Sequence, residues 1–285
     1  MYEIVWQYDE SEPHEETKPA DAAEARRLLT DGNQRFAAFF TTESGSDTHR
    51  QIVRISPQGV GISLNPGEPP VQEPFAAFLS CADARVPVEL IFAQQANDLF
   101  VVRVAGNVLG DECLGSLGYA VDQLGTVRLL AVLGHTGCGA VTTAVDAYLN
   151  PVGYLGVAAN FPLQAIVSKL MAPVRGAAAA LSAAHGDGVA TRPGYRQALI
   201  ETAVALNAAL SAAVLSHNFD DALGERLQVS FGIYDLRNRT VGLPDDGPGG
   251  EWRMGLFAPP TTQAGFDTFG LRIAQSRLVT DLLAQ

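Results

Sequence analysis

The sequence is short of cysteine, of positive charge and of long apolar runs, and each shortage removes a class of protein. Three cysteines in 285 residues cannot build a disulfide framework, so the expected setting is reducing and cytoplasmic, with thiols free for metal or catalysis. Lysine and arginine together number 19 against 31 acidic residues, a formal net charge of −12. That balance argues against a phosphate-backbone partner, so no nucleic acid is expected. The lack of any run of about 18 or more apolar residues implies no membrane span. The opening "MYEIVWQYDESEPHEETKPAD" also lacks the basic-then-apolar layout of a secretory signal. There is no internal repeat, no Gly-Lys-Ser/Thr of a P-loop, no G-x-G-x-x-G and no Cys-x-x-Cys, so nucleotide-loop and dithiol-redox readings have no motif to stand on.

What is present is a regular alternation. After a polar arm over residues 1–19, "PADAAEARRLLTDGNQRFAAFF" carries apolar residues at helical spacing, with Asp21 as N-cap and Gly32 as a break. Residues 41–74 are rich in Pro, Gly and Ser and read as an insertion, with "QIVRIS" its one extended candidate. Then "PFAAFLSC", "DLFVVRVAG" and "RLLAVLGH" read as strands, separated by the helical "PVELIFAQQ" and "GSLGYAVDQLG" and followed by the helical "CGAVTTAVDAYL". Near-continuous apolar strands alternating with helices predict an α/β fold in three layers, a central mostly parallel sheet flanked by helices. Residues 150–215 read as mainly helical, broken at "HGDGVATRPGY". "LQVSFGIYDL" is a late strand, and "LRIAQSRLVTDLLAQ" a closing amphipathic helix. The whole, 1–285, reads as one domain with its core at about 20–243 and a C-terminal extension over 244–285.

Chemistry concentrates where two of these strands end. Cys81, Asp83 and Arg85 follow the first at intervals of two, and in extended chain alternate side chains share a face. His135 and Cys138 lie in "GHTGCGA" at the turn after the third. If the strand order runs 2-1-3, both sets meet in the crevice beyond the carboxyl ends, where such sheets bind ligands. Two thiolates and an imidazole suit Zn²⁺, and three protein ligands leave a fourth position open. Asp83 is placed to fill that position or to accept a hydrogen bond from water there, and Arg85 to hold Asp83 off the metal as a bidentate partner. Taken singly, each residue has a plainer use. Cys113 reads as a small buried hydrophobe, His135 as a hydrogen-bonded structural histidine, Asp83 with Arg85 as an ordinary ion pair, and "GHTGCGA" as an anion-binding turn.

These residues resemble the β-class carbonic anhydrases, whose signatures C-x-D-x-R and H-x-x-C-G stand here as "CADAR" and "HTGCG". The likeness extends through "LLTDGNQRF", "LFVVRVAGNV", "GSLGYAVDQLGTVRLLAVLGH" and "VSFGIYDLRNRTVGL", about Ala20 to Leu243. It implies zinc on Cys81, His135 and Cys138, with Asp83 and Arg85 as the catalytic dyad and Asp83 as fourth ligand in a closed state. It also implies an N-terminal helical arm embracing a second copy, as homodimer or homotetramer. The activity implied is that of a zinc lyase hydrating CO₂ reversibly to bicarbonate and a proton. Carbonyl sulfide or carbon disulfide hydrolysis on the same scaffold is the alternative. Ala84 replaces a customary Ser and Gly118 a customary Glu. Phe78 and Ser80 differ from the Trp and Gly of the bicarbonate-inhibited subgroup, although Tyr234 matches its tyrosine. Val86, Val104, Ala105 and Gly106 are expected to line a narrow CO₂ pocket. None of His49, His185 and His217 is placed at the site as a proton shuttle.

Overall fold

The computed structural model describes residues 2–9, 18–39, 49–63, 65, 67–152, 155, 156, 159, 161–224, 226–245 and 252–285. The central sheet is built from β3 (Ala76–Ser80), β4 (Leu99–Arg103), β5 (Leu129–His135), β6 (Gln228–Asp235), β7 (Thr240–Pro244) and β8 (Trp252–Met254), in the order β4-β3-β5-β6-β7-β8. β4, β3, β5 and β6 pair in parallel, while β7 and β8 are antiparallel additions. The expected 2-1-3 order of the first three sheet strands is therefore present, and β3 and β5 are neighbours. The reason is visible in side-chain parity. Ala77, Leu79, Leu130 and Val132 enter one apolar cluster, whereas Ala76, Phe78, Leu129, Ala131 and Leu133 enter another. Both faces are buried, as a parallel sheet requires.

The first cluster is roofed by α3 (Asp111–Gln123), α4 (Gly139–Leu149), α5 (Phe161–His185) and α6 (Tyr195–Asn218). The second is covered by α1 (Ala22–Phe39) and α2 (Val88–Ile91). Helix α6 is the one helix among the described residues long and apolar enough to cross a membrane, yet 83% of its most apolar window is buried inside the protein. It is a core helix. A bidentate Asp146–Arg196 pair (2.7 and 2.8 Å) ties α4 to α6, and Arg196 holds the Asp146 carboxyl below its usual range. A depressed carboxyl pKa stabilises the fold above its unfolded value near 3.8 and loses that contribution as pH falls through the folded one. Both side chains are about half exposed, so Arg196→Ala is expected to cost no more than about 1 kcal/mol at neutral pH. That difference should vanish in denaturant titrations at about pH 2.

Four readings need correction. Residues 2–7 are not a featureless arm: β1 (Tyr2–Gln7) pairs in parallel with β2 (His49–Arg54), which contains most of the extended candidate. Much of the rest of that arm and of the insertion, residues 10–17 and 41–48, lies outside the described residues. Gly32 does not break α1. It is buried mid-helix, and a Cβ there would sit 1.9 Å from the Phe92 carbonyl oxygen, so the residue is glycine because two backbones touch. Gly32→Ala is expected to cost about 1–3 kcal/mol, read as a lower denaturant midpoint with unchanged slope. The closing helix starts earlier and splits: α7 (Gln263–Gln275) and α8 (Arg277–Leu283) meet at buried Ser276, whose extended backbone (φ −60°, ψ 154°) ends one and starts the other. The fourth correction concerns the segment after β3. The strand stops at Ser80, and residues 84 and 85 form a turn, so Cys81, Asp83 and Arg85 do not project from a continuous strand.

Candidate metal centre

Cys81 is the first residue beyond β3, His135 the last of β5, and Cys138 the N-cap of α4. All three are buried, and their donor atoms lie within 4.8 Å of one another. The two sulfurs are 4.0 Å apart, close to the roughly 3.8 Å that separates two thiolates on a tetrahedral Zn²⁺ with bonds of about 2.3 Å. His135 Nδ1 lies 3.0 Å from the Thr136 carbonyl oxygen. A carbonyl only accepts, so Nδ1 carries the proton and Nε2 presents its lone pair. Nε2 is buried and has no hydrogen-bond partner among the described residues. An orphaned lone pair facing two thiols is what a metal ligand looks like, and the donor set fits zinc.

The two thiols share polar contacts unequally. Cys81 is pushed down by its hydrogen bond with Cys138, helped by His135 and by backbone N–H groups, against the opposing effect of burial. One of those N–H groups is Gly106, at 3.3 Å. Cys138 is pushed up, because it shares a hydrogen bond with Cys81 and because it is buried. Two thiols this close share one negative charge more easily than they carry two, and metal binding releases the remaining proton.

Asp83 and Arg85 come together through the turn rather than through strand parity. Asp83 Oδ1 accepts the Arg85 backbone N–H and Nε (both 2.9 Å), while Oδ2 accepts Nη2 at 2.7 Å. This guanidinium fork holds the Asp83 carboxyl far below the usual range. Oδ2 also stands 3.8 Å from His135 Nε2, at the edge of the donor triangle. Sequence reasoning missed the residues that brace this arrangement. Arg103 donates Nε to the Cys81 carbonyl (3.0 Å) and Nη2 to the Asp83 carbonyl (2.5 Å). Buried Asn207 donates to the Gly106 carbonyl (2.8 Å). Glu201 accepts the Gly137 N–H on both carboxylate oxygens (3.2 and 3.3 Å). The available signal was a carboxylate and an amide inside the otherwise apolar "ALIETAVALNAAL".

The expected pocket residues divide. Gly106 is at the Cys81 sulfur, but Val86 is fully buried in the second apolar cluster. A cavity of about 520 Å³ opens instead beside Arg85, Thr136, Gly137 and Glu201, and Leu278 and Asp281 of α8 form part of its wall. Gly118 faces the Phe219 ring, so the place of the customary Glu is apolar. Cys113 is half-buried on α3 and stands apart from the three donors. His185 Nε2 is 2.8 Å from the Ala274 carbonyl, a link to the C-terminal helices.

Fold and site together define an α/β metalloprotein whose Cys₂His centre sits at the carboxyl ends of adjacent parallel strands. The carbonic anhydrase family model matches residues 76–238, more than half of the chain, and the chain belongs to the β-class carbonic anhydrase family. "Carbonic anhydrase 2" of Mycobacterium tuberculosis (strain CDC 1551 / Oshkosh) is 40% identical over 135 residues, 46% of this chain and 58% of the relative. The carbonic anhydrase of Mycolicibacterium smegmatis is 39% identical over 123 residues, 43% of this chain and 52% of the relative. The chain thus spans little more than half the length of these curated relatives. Among solved structures, a tetrameric β-carbonic anhydrase of Sordaria macrospora aligns with a TM-score of 0.46 at 22% identity, covering 60% of this chain and 80% of the other.

Proposed function

We propose that this chain hydrates CO₂ reversibly to bicarbonate and a proton. The observation that carries the reading is the Arg85-locked Asp83 carboxylate beside a His135 Nε2 that has no hydrogen-bond partner among the described residues. A purely structural Cys₂His site has no use for an anion held beside its donors. Cys81, His135 and Cys138 would hold zinc, which when bound would supply the Lewis acidity that brings the pKa of a water toward about 7. Asp83, kept ionised by Arg85, can only accept, so it fixes the proton of the attacking hydroxyl and turns a lone pair toward the substrate carbon. Arg85 meanwhile holds Asp83 so that it would not itself become a ligand. Arg103 pins the carbonyls of Cys81 and Asp83, which holds ligand and acceptor in one frame. Attack forms one C–O bond while one C=O π pair of CO₂ moves onto its oxygen, which yields bicarbonate. A second water then enters and its proton leaves to buffer.

Family likeness and three reduced cysteines support a cytoplasmic homodimer or homotetramer as the working unit. Stopped-flow CO₂ hydration by the zinc-loaded chain tests the activity. Turnover well above the buffer rate, abolished by metal removal, is expected. No zinc-dependent hydration, or faster release of sulfide from carbonyl sulfide than hydration of CO₂, would refute this choice of substrate.

A further inference from the structure

We propose that Glu201 is a positioning residue for the metal centre, acting from helix α6 and through the backbone of Gly137. The inference rests on Cys81, His135 and Cys138 being metal ligands. His135 and Cys138 are joined by only two residues, and their approach depends on the Thr136–Gly137 turn. Gly137 takes φ +64° there, a left-handed conformation that glycine adopts at little cost. A turn that glycine adopts easily it also leaves easily, so something must hold it. Glu201 does so with both oxygens on the Gly137 N–H. Glu201 as a residue is only 8% exposed, and its carboxylate is steadied by Gln197 Nε2 at 2.8 Å.

Burial of a carboxylate is costly without such partners, and burial raises the Glu201 pKa. Its helical neighbours Ala198, Val204 and Ala205 are apolar and buried, and the charged groups that act on the carboxylate, Arg237 and Asp235, come from another segment. The same helix braces the other half of the site, because Asn207 holds the Gly106 carbonyl and the Gly106 N–H donates to the Cys81 sulfur. Glu201 thus anchors the His135–Cys138 half to the scaffold that also supports Cys81. Supporting hydrogen bonds around metal ligands are worth about 10- to 100-fold in metal affinity.

The test uses the full chain as wild type, Glu201→Ala and Glu201→Gln, each checked for native circular dichroism. Zinc affinity is measured by competition with a chromophoric chelator, and ligand geometry by the visible spectrum of the Co²⁺-substituted protein. Glu201→Ala is expected to bind zinc about 10- to 100-fold more weakly and to show an altered Co²⁺ spectrum. Glu201→Gln retains an acceptor oxygen and should stay within a few-fold of wild type with an unchanged spectrum. A Glu201→Ala protein matching wild type in both readouts overturns this assignment and leaves the metal reading standing. Wild type that takes up neither ion overturns both. Loss of affinity in both variants, with unaltered Co²⁺ spectra, also overturns it, because the charge rather than the held turn would then be what matters.

Discussion

Asp83→Ala and Arg85→Ala are each expected to retain zinc and to lower CO₂ hydration by about 10²-fold or more, the scale of a misaligned nucleophile. Neither side chain is among the three donors, so metal content should remain near one ion per chain by elemental analysis. The two variants fail for different reasons. Without Asp83, nothing orients the attacking hydroxyl. Without the Arg85 side chain, the carboxylate loses two of its three N–H contacts and keeps only the backbone one. It stands 3.8 Å from His135 Nε2 in the wild type, and without the fork little would keep it from becoming a ligand itself. Arg85→Lys should recover little, since one ammonium cannot reproduce the planar fork. Wild-type turnover from either alanine variant would remove the dyad from the mechanism.

Cys138→Ala has the second large effect, and it lies on the metal itself. Only Cys81 and His135 would remain, and two donors do not hold zinc against a chelator. The loss should exceed the 10- to 100-fold attached to a supporting contact, and hydration should fall to the buffer rate. A second readout is thermal. Ligand that binds only the folded state stabilises it by about 2.7 kcal/mol at a concentration 100 times Kd. Added zinc should therefore raise the Tm of wild type and leave that of the variant unmoved. Because thiols must shed protons to bind, the wild-type shift should shrink on acidification. Full zinc occupancy in Cys138→Ala would contradict the assignment of ligands.

Much of the scaffold was legible because burial on both faces makes β3 and β5 nearly pure apolar runs, and such runs followed by helical periods admit few topologies. The donors were legible for a related reason: they sit where those runs stop. What the one-dimensional pattern misjudged were contacts between backbones and between distant segments. Gly32 reads as a helix breaker until the Phe92 carbonyl is placed against it. The Asp83–Arg85 pair reads as strand parity, though a turn makes it. β1 pairs with a segment more than forty residues away, which no local period announces.

Sequence alone marked Cys81, His135 and Cys138 as a donor set, through their places at strand ends and their resemblance to the family's motifs, and the fold brings the three together. It also settled the layered α/β plan, since that follows from local hydrophobic periods. Tertiary structure decided how those ligands are held. Arg103, Asn207 and Glu201 act on backbone groups that sit 20 to 101 positions away along the chain. The physical reason is that a hydrogen bond to a carbonyl or an amide leaves no imprint on the residue type at the receiving end, so only the folded chain reveals it.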